Sequence, residues 1–124
     1  MPLINIEPKD LSVQQDLQAR MQELRVGLKL VACRISGFES TDILVNLLHP
    51  VVDADPHSAD FVIYADTCPH EGLEARANEL CEALALVAVE LGFKSFEVWP
   101  RFLPGPWCLV QNGVIVDRVS HPRT

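Results

Sequence analysis

Proline stands second in this 124-residue chain, directly after the initiator methionine, in the stretch MPLINIEP. Removal of Met1 turns the Pro2 nitrogen from an amide into a free secondary amine. An exposed α-amine titrates at about 7.7–8.0. Apolar neighbours such as Leu3 and Ile4 disfavour the ammonium form and pull that value down. The result is a base poised near neutral pH, an effect worth about 10²–10⁴ in rate when aimed at a reacting proton. The pyrrolidine ring also fixes the direction of the amine. The plain alternative is that Pro2 simply opens a strand, a position where proline is tolerated.

The other reactive side chains form no comparable unit. Cys68-Pro69-His70, with His49 and His57 not far along the chain, matches no standard zinc spacing, and a helix-capping turn accounts for it. A nucleophilic Cys68 would gain a lowered pKa from a helix N-terminus but lacks an orienting third group. Asp53, Asp55, His57 and Asp60 crowd one loop and read as a solvated turn. The six glycines are scattered, so no phosphate-cradling loop is present. No metal and no cofactor is expected.

The formal charge of −7, with no local Lys/Arg cluster, argues against a surface that tracks nucleic-acid phosphates. The longest apolar run, residues 83–89, is too short to span a bilayer, so no membrane partner is expected. The start lacks a basic stretch followed by an apolar one, so no signal peptide is expected. The four cysteines show no C-x-x-C spacing and read as reduced, mostly buried thiols of a cytoplasmic protein. The length suits a single domain over 1–124.

The chain reads as one unit written twice. Residues 2–7 form a short apolar strand ended by Pro8. An S-x-x-Q capping box at Ser12–Gln15 then opens a helix. Leu17, Met21, Leu24, Leu28 and Val31 mark its buried face, and Gly37 closes it. Residues 41–49 form a second strand stopped by Pro50. The second unit starts at the 61–66 strand. Thr67 caps its helix, Pro69 suits the first turn, and Leu73, Ala77, Leu80, Leu84, Val87 and Leu91 line the buried face. Gly92 ends that helix, and strand 95–99 is stopped by Pro100. In the tail, Asn112-Gly113 between two apolar runs predicts a tight hairpin over 108–117. The units are thus 2–50 and 60–102, with 103–124 as hairpin tail.

The fold class expected is α+β: two consecutive β-α-β units forming a four-stranded sheet, two helices on one face, and a C-terminal hairpin. Strand alternation makes the sheet apolar on both faces: Ile43, Val45 and Leu47 stand against Leu44 and Leu48 on the second strand, and Phe61 and Ile63 against Val62 and Tyr64 on the third. Two helices cover only one side, so another subunit is expected on the other.

A Met-Pro start, two strand–helix–strand units and a closing hairpin together resemble the tautomerase superfamily, which includes macrophage migration inhibitory factor and the oxalocrotonate tautomerases. The stretch YADTCPHEGLEARANELCEALALVAVELG is similar to that family's third strand and second helix, and SFEVWPRFLPGPW to its fourth strand and exit. The likeness covers about residues 2 to 110 and is nearest a bacterial branch that keeps proline second. It implies a homotrimer whose closing hairpin extends a neighbour's sheet. It implies a cofactor-independent isomerase that moves a proton on a small keto–enol carboxylic acid, with Pro2 as base.

The substrate carboxylate would need a cation. Oxalocrotonate-type members carry arginines near the start of the first helix and on the second strand. Here those regions hold Lys9, Ser12 and no arginine. Factor-like members carry a cation after the first helix, which implies Arg34, and an aromatic on the fourth strand, which implies Trp99. Arg101 lies just beyond and could face a neighbour's Pro2. The plain alternatives are a helix-dipole charge for Arg34, packing for Trp99 and an ion pair for Arg101. Two other readings remain at this point. One is a non-catalytic trimeric relative serving as a binding or structural module. The other is a ferredoxin-like small-molecule-binding domain, which needs an antiparallel sheet and no trimer.

Overall fold

In the computed structural model, strands β1 (Leu3–Pro8), β2 (Leu44–Leu47), β3 (Phe61–Thr67) and β4 (Phe96–Phe102) pair in the order β2-β1-β3-β4. Helices α1 (Leu11–Ala19) and α2 (Met21–Ser36) connect β1 to β2, and α3 (Ala77–Glu90) connects β3 to β4. Strands β5 (Trp107–Gln111) and β6 (Val114–Val119) form a separate antiparallel hairpin. The structure describes residues 3–53, 55–56, 58–67, 74–102 and 107–119. Pro2, His57, Cys68, Pro69, His70, Leu73, the 103–106 segment and residues 120–124 lie outside the described residues.

Within each unit the strands run parallel, β1 with β2 and β3 with β4, and the units join through the antiparallel β1–β3 pair. A parallel pair needs a crossover of a dozen or more residues, which the helices supply. The fold class is the α+β arrangement expected from the doubled pattern. The two parallel pairs overturn the ferredoxin-like alternative.

Alternation along the strands decides which side chains the helices cover. Ile4, Ile6, Val45, Phe61, Ile63 and Ala65 point to one face and are buried there. Leu24, Leu28, Ala32 and Ile35 of α2 and Leu80, Leu84 and Ala88 of α3 close over them. Each large apolar side chain so buried contributes about 1.5–3 kcal/mol. The helices approach closely at Gly27, where a Cβ would stand 2.6 Å from Val87 Cγ1.

Several boundaries differ from expectation. The first helix is broken at Arg20, whose backbone leaves the helical region at φ −112 and ψ 11. No proline or glycine marks that break. Arg20 itself spans it, donating to the Leu91 carbonyl at 2.9 Å and to Glu23. The N-cap is Asp10 rather than Ser12: its carboxylate accepts from the Val13 N–H at 2.9 Å. Residues Ser40–Asp42 coil into a 3₁₀ turn, which shortens β2. Thr67 is the last residue of β3, not a cap, and a 3₁₀ turn at Glu74–Arg76 precedes α3. Strand β4 runs through Pro100, because it lies at the sheet edge, where a missing N–H is tolerated. Gly37 and Gly92 end their helices at φ 78 and 98, and Asn112-Gly113 turn the hairpin at φ 50 and 76, as expected. Among the described residues no helix is long and apolar enough to cross a membrane.

Candidate active site

The start of β1 lies where β2 also starts and where β3 and β4 end, because of their relative directions. Residues paired across these strands share a face. On the face without helices, one row reads Leu44, Leu3, Asp66, Arg101, and the next Asn46, Asn5, Tyr64, Trp99. Leu3 is the residue after Pro2, so Arg101 ends up two strands from it, about 10 Å between backbones.

That face was expected to be apolar. It is mixed instead, and its polar groups form a chain across all four strands. Asn46 Nδ2 donates to Asn5 Oδ1 at 3.2 Å, and Asn5 Nδ2 donates to Asp66 Oδ2 at 2.9 Å. Arg101 grips the same carboxylate with Nε on Oδ1 at 2.5 Å and Nη2 on Oδ2 at 2.7 Å. The Asp66 side chain is only 6% exposed, against 48% for Arg101. Burying a carboxylate demands such partners, and three donors meet the demand. The Arg101 guanidinium also lies 3.9 Å from the centroid of the Tyr64 ring, a cation–π contact. Its hydrogen bonds to Asp66 hold its pKa above the usual arginine value.

Trp99 is 54% exposed and sits beside Tyr64 in register, its Nε1 donating to Glu97 Oε1 at 2.9 Å. Arg34 occupies the last turn of α2, exposed on the helix side of the sheet. Its charge acts on Glu79 of α3, whose carboxyl is held below the usual range chiefly by hydrogen bonds from Arg76. Arg76 Nη1 also donates to the Ile35 carbonyl at 2.6 Å and so closes the end of α2. Within one chain, then, Arg101 and Trp99 share the open face, whereas Arg34 stands in the opposite layer. Pro2, the residue named first for catalysis, lies outside the described residues.

Lys9, the cation at the far end of β1, pairs with Asp60 at 2.9 Å. A cleft of about 450 Å³ opens at that far end, between Glu7, Asp10, Asp53, Asp55, Phe61 and Val62. It contains neither Arg101 nor Trp99. Among the described residues, Cys33 and Cys81 are free and half-buried, and burial raises the Cys81 thiol pKa. Asp66, Asn5 and Asn46 were missed as site residues. The available signal was polar side chains at alternate positions inside otherwise apolar strands.

The sequence matches no family model and no curated protein. The fold does match solved structures. The N1 member of the cis-3-chloroacrylic acid dehalogenase family superposes with a TM-score of 0.67 at 14% identity, over 93% of this chain and 83% of that one. The F6 fused 4-OT, solved as an asymmetric trimer, gives 0.61 at 18% identity, over 82% and 86%. A macrophage migration inhibitory factor-like protein from Entamoeba histolytica gives 0.52 at 9% identity, over 82% and 86%.

Proposed function

We propose, for a chain folded as the tautomerase superfamily enzymes are, that it is a cofactor-independent isomerase of a small keto–enol carboxylic acid. Pro2, freed of Met1, is the base. Its amine takes the enol O–H proton, and the O–H pair stays on oxygen as an enolate. As that pair then forms the C=O bond, the C=C pair takes the proton back from the prolinium at carbon. No bond to the protein forms.

The observation that carries this reading is Arg101, a cation held rigidly in the same row as Leu3. Asp66 occupies Nε and Nη2, which leaves the Nη1–Nη2 edge of the guanidinium for a substrate carboxylate. Arg34 is the second candidate cation, approaching from the helix side. Trp99, half exposed beside Tyr64, would wall the pocket.

The mixed outer face suits a homotrimer, as does the likeness to chains solved as trimers. Sedimentation should return a trimer, and lone protomers would remove that assembly. The reaction is tested with Met-free protein and the enol of phenylpyruvate, followed by absorbance. Pro2→Ala should lower the rate by about 10²-fold or more. Equal rates for both proteins would remove the reading. Arg101→Ala and Arg34→Ala should separate the two cations, since loss of the carboxylate holder raises KM.

A second reading, a non-catalytic trimeric relative, is favoured by the engagement of Arg101 with Asp66 and by the absence of arginine in residues 41–49. Intact mass from the native host discriminates, because a species one methionine heavier keeps the Pro2 nitrogen an amide.

A further inference from the structure

Arg101 is a long, half-exposed side chain on the edge strand β4, and ordering such a side chain costs rotamer freedom. Here it is held on two sides. The Asp66 carboxylate takes Nε and Nη2 in the guanidinium plane at 2.5 and 2.7 Å, and the Tyr64 ring centroid lies 3.9 Å from the same group. Asp66 is fixed in turn. Asn5 Nδ2 donates to its Oδ2 at 2.9 Å, and Asn46, donating to Asn5 Oδ1 at 3.2 Å, decides which way that amide points. The chain thus runs from β2 to β4, each side chain set by the one before it. It ends on an arginine whose Nη1 carries no hydrogen bond to any of the described residues.

We propose that Asp66 and Asn5 are positioning residues for ligand binding: they hold Arg101 in place beforehand, so that a carboxylate docks on a preformed guanidinium edge. This rests on the reading of Arg101 as the carboxylate holder. Both residues act through Arg101 and touch no reacting atom. A cation ordered in advance loses no further side-chain freedom at the moment of contact, which is worth up to about tenfold in affinity. The same Asp66 also brings a negative charge near the incoming anion, which by itself weakens binding. The two effects have opposite signs. Positioning governs, because water screens charge at a half-exposed edge but does not restore the direction of the guanidinium.

The test uses full-length, Met-free protein titrated calorimetrically with phenylacetate, a carboxylate that does not turn over. Asp66→Asn and Asp66→Ser, although they remove a negative charge, should each weaken phenylacetate about fivefold to tenfold. Asn5→Leu, one link further from Arg101, should weaken it about twofold to threefold. With Arg101→Lys as background, the point charge of the ammonium has no edge to orient, so Asp66→Asn should no longer weaken binding. With the enol of phenylpyruvate, Asp66→Asn should raise KM and leave kcat within about twofold.

Circular dichroism checks the fold of each variant. Tighter or unchanged phenylacetate binding in a folded neutral variant would overturn the proposal, since Asp66 would then act as a charge alone. So would equal weakening in the Arg101→Lys background, a parent that does not bind phenylacetate, or failure of all the Asp66 and Asn5 variants to fold. The titration involves no turnover. Equal enol rates for Pro2→Ala and parent would therefore sink the isomerase reading alone and leave the order of affinities to decide this one.

Discussion

Ile4, Ile6 and Ile63 lie on one face of the sheet, sealed under α2 and α3. Leu3, Asn5 and Tyr64, one position along on the same strands, meet their neighbours across the open face. On the covered face, burial removes apolar area from water and needs no particular orientation. On the open face, the buried group is the Asp66 carboxylate, and it is tolerated only because Arg101 and Asn5 aim donors at it. The first kind of burial stabilises the chain. The second holds a charge in a defined place, which is what recognition of an anion requires.

The contrast can be broken by substitution. Leu84, fully buried under the helix layer, should show the largest effect: Leu84→Ala should cost about 2–5 kcal/mol in urea unfolding. A smaller loss would mean that the layer collapses onto the vacated space. Asp66→Ala should cost less, about 1–3 kcal/mol, because its main partner is half exposed and can turn to water. A loss as large as that of Leu84→Ala would erase the distinction between the faces. Asp10→Ala removes the α1 cap and should cost about 1 kcal/mol, measured the same way.

The smallest expected effect concerns acid. The Glu79 carboxyl is depressed in the folded chain, first by hydrogen bonds from Arg76 and further by the charge of Arg34. A depressed carboxyl contributes stability that is present above its unfolded value of about 4.3 and lost as pH falls through the folded value. Melting temperature should therefore drop on acidification below about pH 5, and Glu79→Gln should flatten that limb slightly. An unaltered acid limb would show the Arg76–Glu79 pair to be energetically silent.

Much of the architecture was legible because the relevant signals are local. Gly37, Gly92 and Asn112-Gly113 mark positive-φ positions, and each ends or turns an element as expected. The break at Arg20 was not legible. It depends on a carbonyl at Leu91, 71 residues away, which no local pattern encodes. The same holds for the run of Glu74–Arg76, where helix-forming residues adopt a 3₁₀ turn before α3. At the candidate site, Arg101 and Trp99 were named from the resemblance, and their sharing of one face followed from strand alternation. Asp66 was overlooked because its partners Asn5 and Arg101 lie 61 and 35 residues away, on strands whose register no local pattern encodes.

Composition and periodicity alone determined that this chain builds two strand–helix–strand units and a hairpin, because apolar spacing of two or of three and four can be satisfied by only one kind of element each. They also determined that no basic stripe is available for nucleic acid. Only the tertiary structure decided that β1 and β3 run antiparallel, and with that, that Asn5, Asp66 and Arg101 meet. Register between strands distant in sequence is set by which side chains fit beneath the helices, and that fit is a property of the packed chain rather than of any window along it.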